Sequence, residues 1–328
     1  MESLFYENEN FIHWNCMNIR LILSALAASA ALCATPGTFG AQIFVVNSQT
    51  GAIGEYTTSG TTVNPALITT LGGPSGIAVS GDNLFVSISN VTSDTGRIGE
   101  YTTSGATVNP ALITTVGSPL PAGIAVSGRD LFVSISNVTS ESGRIGKFTT
   151  SGATVSPNLI PGLSIPLGIA VSGDDLFVVD WGAGKIGKYT TSGAIVNASL
   201  VSGLISPIDI AVSGGNLFVT DSVTGTISEY NATTGAIVDP DLISGLNGPN
   251  GIAVFGGNLF VTNFQTGTIG EYTISGETVN ASLISGLNQP IDIAVVSASV
   301  ADASSTWALL LLALTATFGL KPLLRTSA

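Results

Sequence analysis

Six near-copies of one unit, 41–47 residues long, fill most of this 328-residue chain. Each unit reads as an L-F-V segment, an I-G-E-Y segment, an L-I segment and a P-x-[G/D]-I-A-V segment. The L-F-V phenylalanine recurs at Phe44, Phe85, Phe132, Phe177, Phe218 and Phe260. The I-G-E-Y aromatic recurs at Tyr56, Tyr101, Phe148, Tyr189, Tyr230 and Tyr272. Four short β-type segments per unit, at this period, predict an all-β chain folded as a six-bladed propeller of four-stranded antiparallel blades.

The linkers set the strand order. I-A-V and L-F-V are separated by short Gly/Asn stretches such as Gly81-Asp82 and Gly214-Gly215, which read as hairpins. The T-T-S-G stretches at Gly60, Gly105, Gly152 and Gly193 read as a second hairpin. A proline stands three residues ahead of every I-A-V isoleucine, at Pro74, Pro121, Pro166, Pro207, Pro249 and Pro290. Proline donates nothing to a ladder, so this stretch reads as the crossover between blades. The blade order is then I-A-V, L-F-V, I-G-E-Y, L-I, with the small-residue I-A-V strand innermost. The repeats begin with L-F-V and end with I-A-V. The last strand, Ile291 to Val296, therefore completes the first blade and closes the ring without an exposed seam.

The pattern P-x-G-I-A-V-x-G-x-x-L-F-V-x-[D/N], followed by I-x-x-Y, resembles the NHL-repeat propellers. Pro249 to Asn263 with Ile269 to Tyr272 is the best copy. The resemblance implies a fold rather than a function, because such propellers host enzymes, scaffolds and binding modules.

The ends read as addresses. Residues 1–16 are acidic and read as an extension ahead of a true start at Met17. Residues 17–41 combine Arg20 with an apolar run and read as a signal peptide. Residues 42–297 form the propeller, and 298–328 a sorting or anchoring segment. In that tail Val300, Asp302, Ser304, Ser305 and Thr306 precede an uncharged apolar run and then Lys321 and Arg325. The layout resembles the PEP-CTERM class of bacterial sorting signals, with Ala301 where proline is usual. The resemblance implies an exosortase-like processing enzyme as partner, transient membrane anchoring, and a place in the cell envelope or outside the cell. A plain membrane anchor is the alternative.

The chemistry inventory is short. His13, Cys16 and Cys33 are the only histidine and cysteines, all upstream of the repeats. The propeller therefore has no imidazole, thiol or disulfide, which excludes Ser-His-Asp and Cys-His catalysis. Residues 42–297 carry seventeen acids and six bases, a balance that disfavours nucleic acid as a partner. Five N-x-[S/T] sequons, at Asn90, Asn137, Asn197, Asn231 and Asn280, read as by-products of the repeat.

One polar group stands out. Asp209 and Asp292 replace the glycine at the start of I-A-V, and Asn47, Asp180, Asp221 and Asn263 end L-F-V. Both positions fall at the same end of the ring. Asp209, Asp221 and Asp292 are candidate ligands for calcium, a hard cation that prefers oxygen. Asp and Asn at strand ends are also ordinary turn formers. No cofactor is otherwise implied. These readings lead to a non-enzymatic binding or structural propeller, with extracellular polysaccharide as a partner. Units this similar leave little room for a unique pocket. A calcium-dependent hydrolase or lactonase is the alternative.

Overall fold

A computed structural model describes residues 41–90, 95–116, 120–137 and 139–297. Blade 1 holds β1 (Gln42–Asn47), β2 (Ala52–Thr57) and β3 (Thr62–Ile68). Blade 2 holds β4 (Pro74–Ser80), β5 (Asn83–Asn90), β6 (Thr95–Thr102) and β7 (Thr107–Val116). Blade 3 holds β8 (Leu120–Ser127), β9 (Asp130–Asn137), β10 (Ser142–Thr149) and β11 (Thr154–Leu163). Blade 4 holds β12 (Pro166–Ser172), β13 (Asp175–Asp180), β14 (Lys185–Thr190) and β15 (Ile195–Ser202). Blade 5 holds β16 (Pro207–Ser213), β17 (Asn216–Asp221), β18 (Thr226–Asn231) and β19 (Ile237–Ile243). Blade 6 holds β20 (Pro249–Phe255), β21 (Asn258–Asn263), β22 (Thr268–Thr273) and β23 (Thr278–Ile284). The last strand, β24 (Pro290–Val296), pairs antiparallel with β1 and supplies the inner strand of blade 1. The strand order and the seam are those predicted.

One detail differs. The repeated proline is not in a separate crossover but is the first or second residue of each inner strand, paired with the end of L-F-V, as Pro207 with Asp221. A register shift follows before the isoleucine. Proline is tolerated there because a first strand residue need not donate to the ladder.

Packing explains the apolar runs. Each L-F-V phenylalanine is at most 1% exposed and inserts into the neighbouring blade. Phe85 meets Leu131, Val133 and Phe148 of blade 3, and Phe177 meets Leu217, Val219 and Tyr230 of blade 5. Phe260 meets Ile43, Val45 and Tyr56, so the seam is packed like the other five junctions. Burying one such side chain contributes roughly 1.5–3 kcal/mol. The outer strands are different. They expose an equivalent valine in every blade, and four of them carry an edge proline, at Pro65, Pro110, Pro157 and Pro240. Proline on an outer strand blunts pairing with another chain.

The two candidate addresses, residues 17–41 apart from Ala41 and the tail with Val300, Asp302, Ser304, Ser305 and Thr306, lie outside the described residues.

Candidate functional site at the crossover end of the ring

The inner strands touch one another around the axis, and the third position of each decides how. At Gly76 an added Cβ would lie 2.3 Å from the Ala122 carbonyl oxygen, so only glycine allows that approach. Asp209 and Asp292 occupy this position in blades 5 and 1. Their preceding neighbours Gly168 and Gly251 make room: a Cβ on either would fall 2.6 Å from the aspartate Cα.

Each aspartate then staples two blades. The Ile252 N–H donates to Asp209 Oδ2 at 2.9 Å, and the Ile77 N–H donates to Asp292 Oδ2 at 2.7 Å. The Ile293 N–H donates to Asp292 Oδ1 at 2.8 Å, and Ile210 donates to Asp209. Inner strands have no further strand to pair with at the axis. The two carboxylates satisfy backbone donors in four consecutive blades.

Both side chains keep partial exposure, but the carboxyl groups lie deep among backbone, and that immediate environment governs their protonation. Burial raises Asp209 to about 6, against the opposing pull of the Ile252 and Ile210 N–H groups. Burial, and then the charge of Asp209, raises Asp292 well above the usual carboxylate range.

Asp221 points elsewhere. Its Oδ2 accepts the Ser206 N–H at 2.9 Å, and its Oδ1 accepts those of Val223 and Thr224 at 3.1 and 3.0 Å. Burial pushes its proton affinity up, but these donors outweigh burial and hold it below the ordinary value. Asp221 holds its own turn, whereas Asp180 accepts from Ser164 and Ile165 of the segment that leads into β12. The structure thus brings Asp209 and Asp292 together electrostatically and leaves Asp221 out. Among the described residues, no group of three or more His, Cys, Asp or Glu is placed to hold a metal ion.

Around this end the repeat loses its symmetry. Trp181 opens the one 3-10 turn among the described residues, Trp181–Ala183 in blade 4, and is 38% exposed. Its indole N–H donates to Ser206 Oγ at 3.1 Å, and Ser206 Oγ shares a hydrogen bond of 3.1 Å with Ser222. Ile205 and Val223, next to these serines, are 67% and 72% exposed. An apolar ledge held by hydroxyls results, on the junction of blades 4 and 5. Sequence reasoning missed Ile205 and Val223. The signal was their departure from the repeat, where blades 4 and 6 carry Ser164 and Asn247 in place of Ile205.

The model of the virginiamycin B lyase family matches residues 23–272. The chain belongs to that family. This corrects the expectation of a non-enzymatic protein: the family is one of lyases, and the absence of imidazole excludes particular mechanisms, not enzymatic function.

Solved structures share the fold at low identity. A nidogen/laminin complex has a chain 18% identical, covering 78% of this chain and 97% of its own, with a TM-score of 0.63. A streptogramin B lyase is 18% identical, covering 79% and 88%, with a TM-score of 0.56. A catalytically inactive histidine-to-alanine form of virginiamycin B lyase from Staphylococcus aureus, with quinupristin, is 20% identical, covering 68% and 75%, with a TM-score of 0.52. No curated protein is a significant match.

Proposed function

We propose that this protein is a lyase-family propeller that binds a peptide-like ligand at the crossover end of its ring. One observation carries the reading. The ledge of Trp181, Ile205 and Val223 and the axial pair Asp209 and Asp292 all break the six-fold repeat at one end of the ring. Repeat symmetry needs no such residues, so their clustering marks a surface fitted to something other than the next blade. Exposed apolar groups rimmed by hydroxyls suit a ligand with apolar side chains on a polar backbone.

The acid–base chemistry must differ from that of a histidine-dependent relative. One S. aureus lyase is inactivated by loss of a histidine, and here the only histidine is His13. A lyase breaks its bond by elimination, which needs a group to take up a proton. General bases work best when their proton affinity lies near the operating pH. Asp209, raised to about 6 and placed at the same end of the ring as the ledge, is one group in that range.

The test is incubation with quinupristin, followed by chromatography and mass spectrometry. Turnover by the native protein, lost in Asp209→Asn while thermal unfolding stays cooperative, supports the reading. Turnover unchanged in that variant removes Asp209 from it.

Export and display at a bacterial surface are proposed on the composition of residues 17–41 and 298–328. Support comes from the apolar runs and the Val300–Thr306 motif. Mass spectrometry of both termini, after cell fractionation, tests that proposal and the exosortase-like partner together.

A further inference from the structure

The sequence holds two Asn-Gly pairs and no others, Asn247-Gly248 and Asn250-Gly251. Asparagine ahead of glycine is chemically labile, because no side chain shields the glycine nitrogen from the asparagine amide. The two pairs share that chemistry and lie in one short segment, at the entry to blade 6. The fold treats them oppositely.

Asn250-Gly251 is locked. Both residues belong to β20. The Gly251 N–H, whose nitrogen would attack, donates to Thr262 Oγ1 at 2.8 Å in a buried place. The Asn250 carbonyl accepts from Thr220 Oγ1 at 2.7 Å. A Cβ on Gly251 would lie 2.6 Å from the Asp292 Cα, so the backbone has no room to shift.

Asn247-Gly248 lies just ahead of the strand. Asn247 is exposed, and Gly248 is in the left-handed region at φ +64°. Their carbonyls accept from the Gln265 N–H at 3.2 Å and the Phe264 N–H at 3.0 Å. Among the described residues, no hydrogen bond holds the Asn247 side-chain amide or the Gly248 N–H. The electrophilic carbon can therefore swing, and the nucleophilic nitrogen is free.

We propose that Asn247 is a site of self-modification, converting to isoaspartate and aspartate through a succinimide formed with Gly248. Solvent hydroxide takes the Gly248 amide proton, and the nitrogen bonds to Asn247 Cγ. The bond from Cγ to the side-chain nitrogen breaks, and that nitrogen takes a proton from water and leaves as ammonia. A water molecule then opens the ring. Opening at the side-chain carbonyl gives aspartate, and opening at the main-chain carbonyl gives isoaspartate. The balance is water in and ammonia out, with no oxidant or reductant. Either product adds a negative charge at the crossover end. Isoaspartate also displaces the carbonyl that Gln265 holds and lengthens the main chain just ahead of β20, whose Ile252 N–H bonds to Asp209. The site does not depend on the lyase reading, because it needs neither a ligand nor a catalytic group.

The test is incubation of the full chain in mildly alkaline buffer, folded in one arm and in urea in the other. Chymotryptic peptides spanning residues 247 to 255 are then read by electron-transfer mass spectrometry, which separates isoaspartate from aspartate. In the folded protein Asn247 is expected to convert at least tenfold faster than Asn250. In urea the two are expected to convert at similar rates. Folded protein in which Asn247 stays intact, or in which Asn250 converts as fast, overturns the proposal. A preference that persists unchanged in urea also overturns it, because the selectivity would then belong to the local sequence and not to the fold. The purified isoaspartyl form is expected to unfold at lower urea than Asn247→Asp, which carries the same charge on an unaltered main chain. Equal midpoints overturn the claimed effect on β20.

Discussion

Asp292 Oδ2 accepts the backbone N–H of Ile77 at 2.7 Å, across 215 residues of sequence. The bond ties β24, the strand that closes the ring, to the inner strand of blade 2. With the matching bond from Ile252 to Asp209, it converts two positions that elsewhere are glycine into axial fasteners. Closure therefore uses backbone pairing to β1 and a side-chain staple to β4 at once.

That arrangement fixes a pH dependence. Asp209 and Asp292 both have folded proton affinities above the unfolded value of 3.8. Their contribution to stability is complete below that value. It is lost as pH rises through about 6 for Asp209, and further up for Asp292. Asp221 is lowered, so its contribution is present above the unfolded value and lost as pH falls through the folded one. Urea unfolding between pH 4 and 8 is expected to show stability declining toward pH 8, with the axial pair carrying the decline. The decline is expected to flatten in Asp209→Asn. A rise over that range contradicts the assignment.

Removing a staple outright should cost stability. Asp292→Ala leaves the Ile77 and Ile293 N–H groups without their acceptor. An unsatisfied buried donor costs about 1–3 kcal/mol, and relief of the buried acid offsets part of it. A net loss of about 2 kcal/mol at pH 5 is expected from chemical denaturation. Asp221→Ala, at a turn, is expected to weaken the protein without changing the slope between pH 6 and 8.

A second pairing rule offers a charge test. The I-G-E-Y acid position pairs with the start of L-F-V in every blade. Glu55 meets Gln42, Glu100 meets Asn83, Glu229 meets Asn216 and Glu271 meets Asn258. Where the acid becomes lysine, the partner becomes aspartate, as in Lys147 with Asp130 and Lys188 with Asp175, each at 2.8 Å. Lys188 also donates to the Ala232 carbonyl of the next blade and lies over Phe177. Lys188→Glu alone is expected to destabilise by roughly 1–2 kcal/mol, because it sets a largely buried acid beside the partly exposed Asp175. Adding Asp175→Asn recreates the Asn–Glu pairing of blades 2, 5 and 6 and is expected to recover at least half. A double variant no better than the single one would show that the pair is not the unit.

Closure itself is testable by deletion. Removing Pro290 to Val296 takes away the partner of β1 and leaves Phe260 and Ile43 without Ile293. Loss of cooperative unfolding, or aggregation through the freed edge, is expected. A truncated protein that melts like the intact one contradicts the ring.

The architecture was legible in the sequence because it is periodic. Phe44 through Phe260 mark six identical junctions, and the offset between first and last segments marks the seam. Asp209 and Asp292 were legible as departures from glycine, but not as staples. That role depends on inner strands meeting across the axis, a contact between residues far apart in the chain. Asp221 resembled them in type and in its place along the blade, yet its side chain turns to Ser206. Ile205 and Val223 were not legible, because apolar residues in a strongly apolar chain draw no notice until their exposure is known.

The central claim is that the crossover end of the ring is the working face. Trp181 is the sole tryptophan between residues 41 and 297, so replacing Trp14 and Trp307 with phenylalanine makes it the only indole. Titrating that protein with quinupristin and following indole emission is the most direct measurement. A saturable change in emission, abolished by Ile205→Glu in a protein that still unfolds cooperatively, is the predicted result. Emission that stays flat while calorimetry records binding would place the ligand elsewhere and contradict the account.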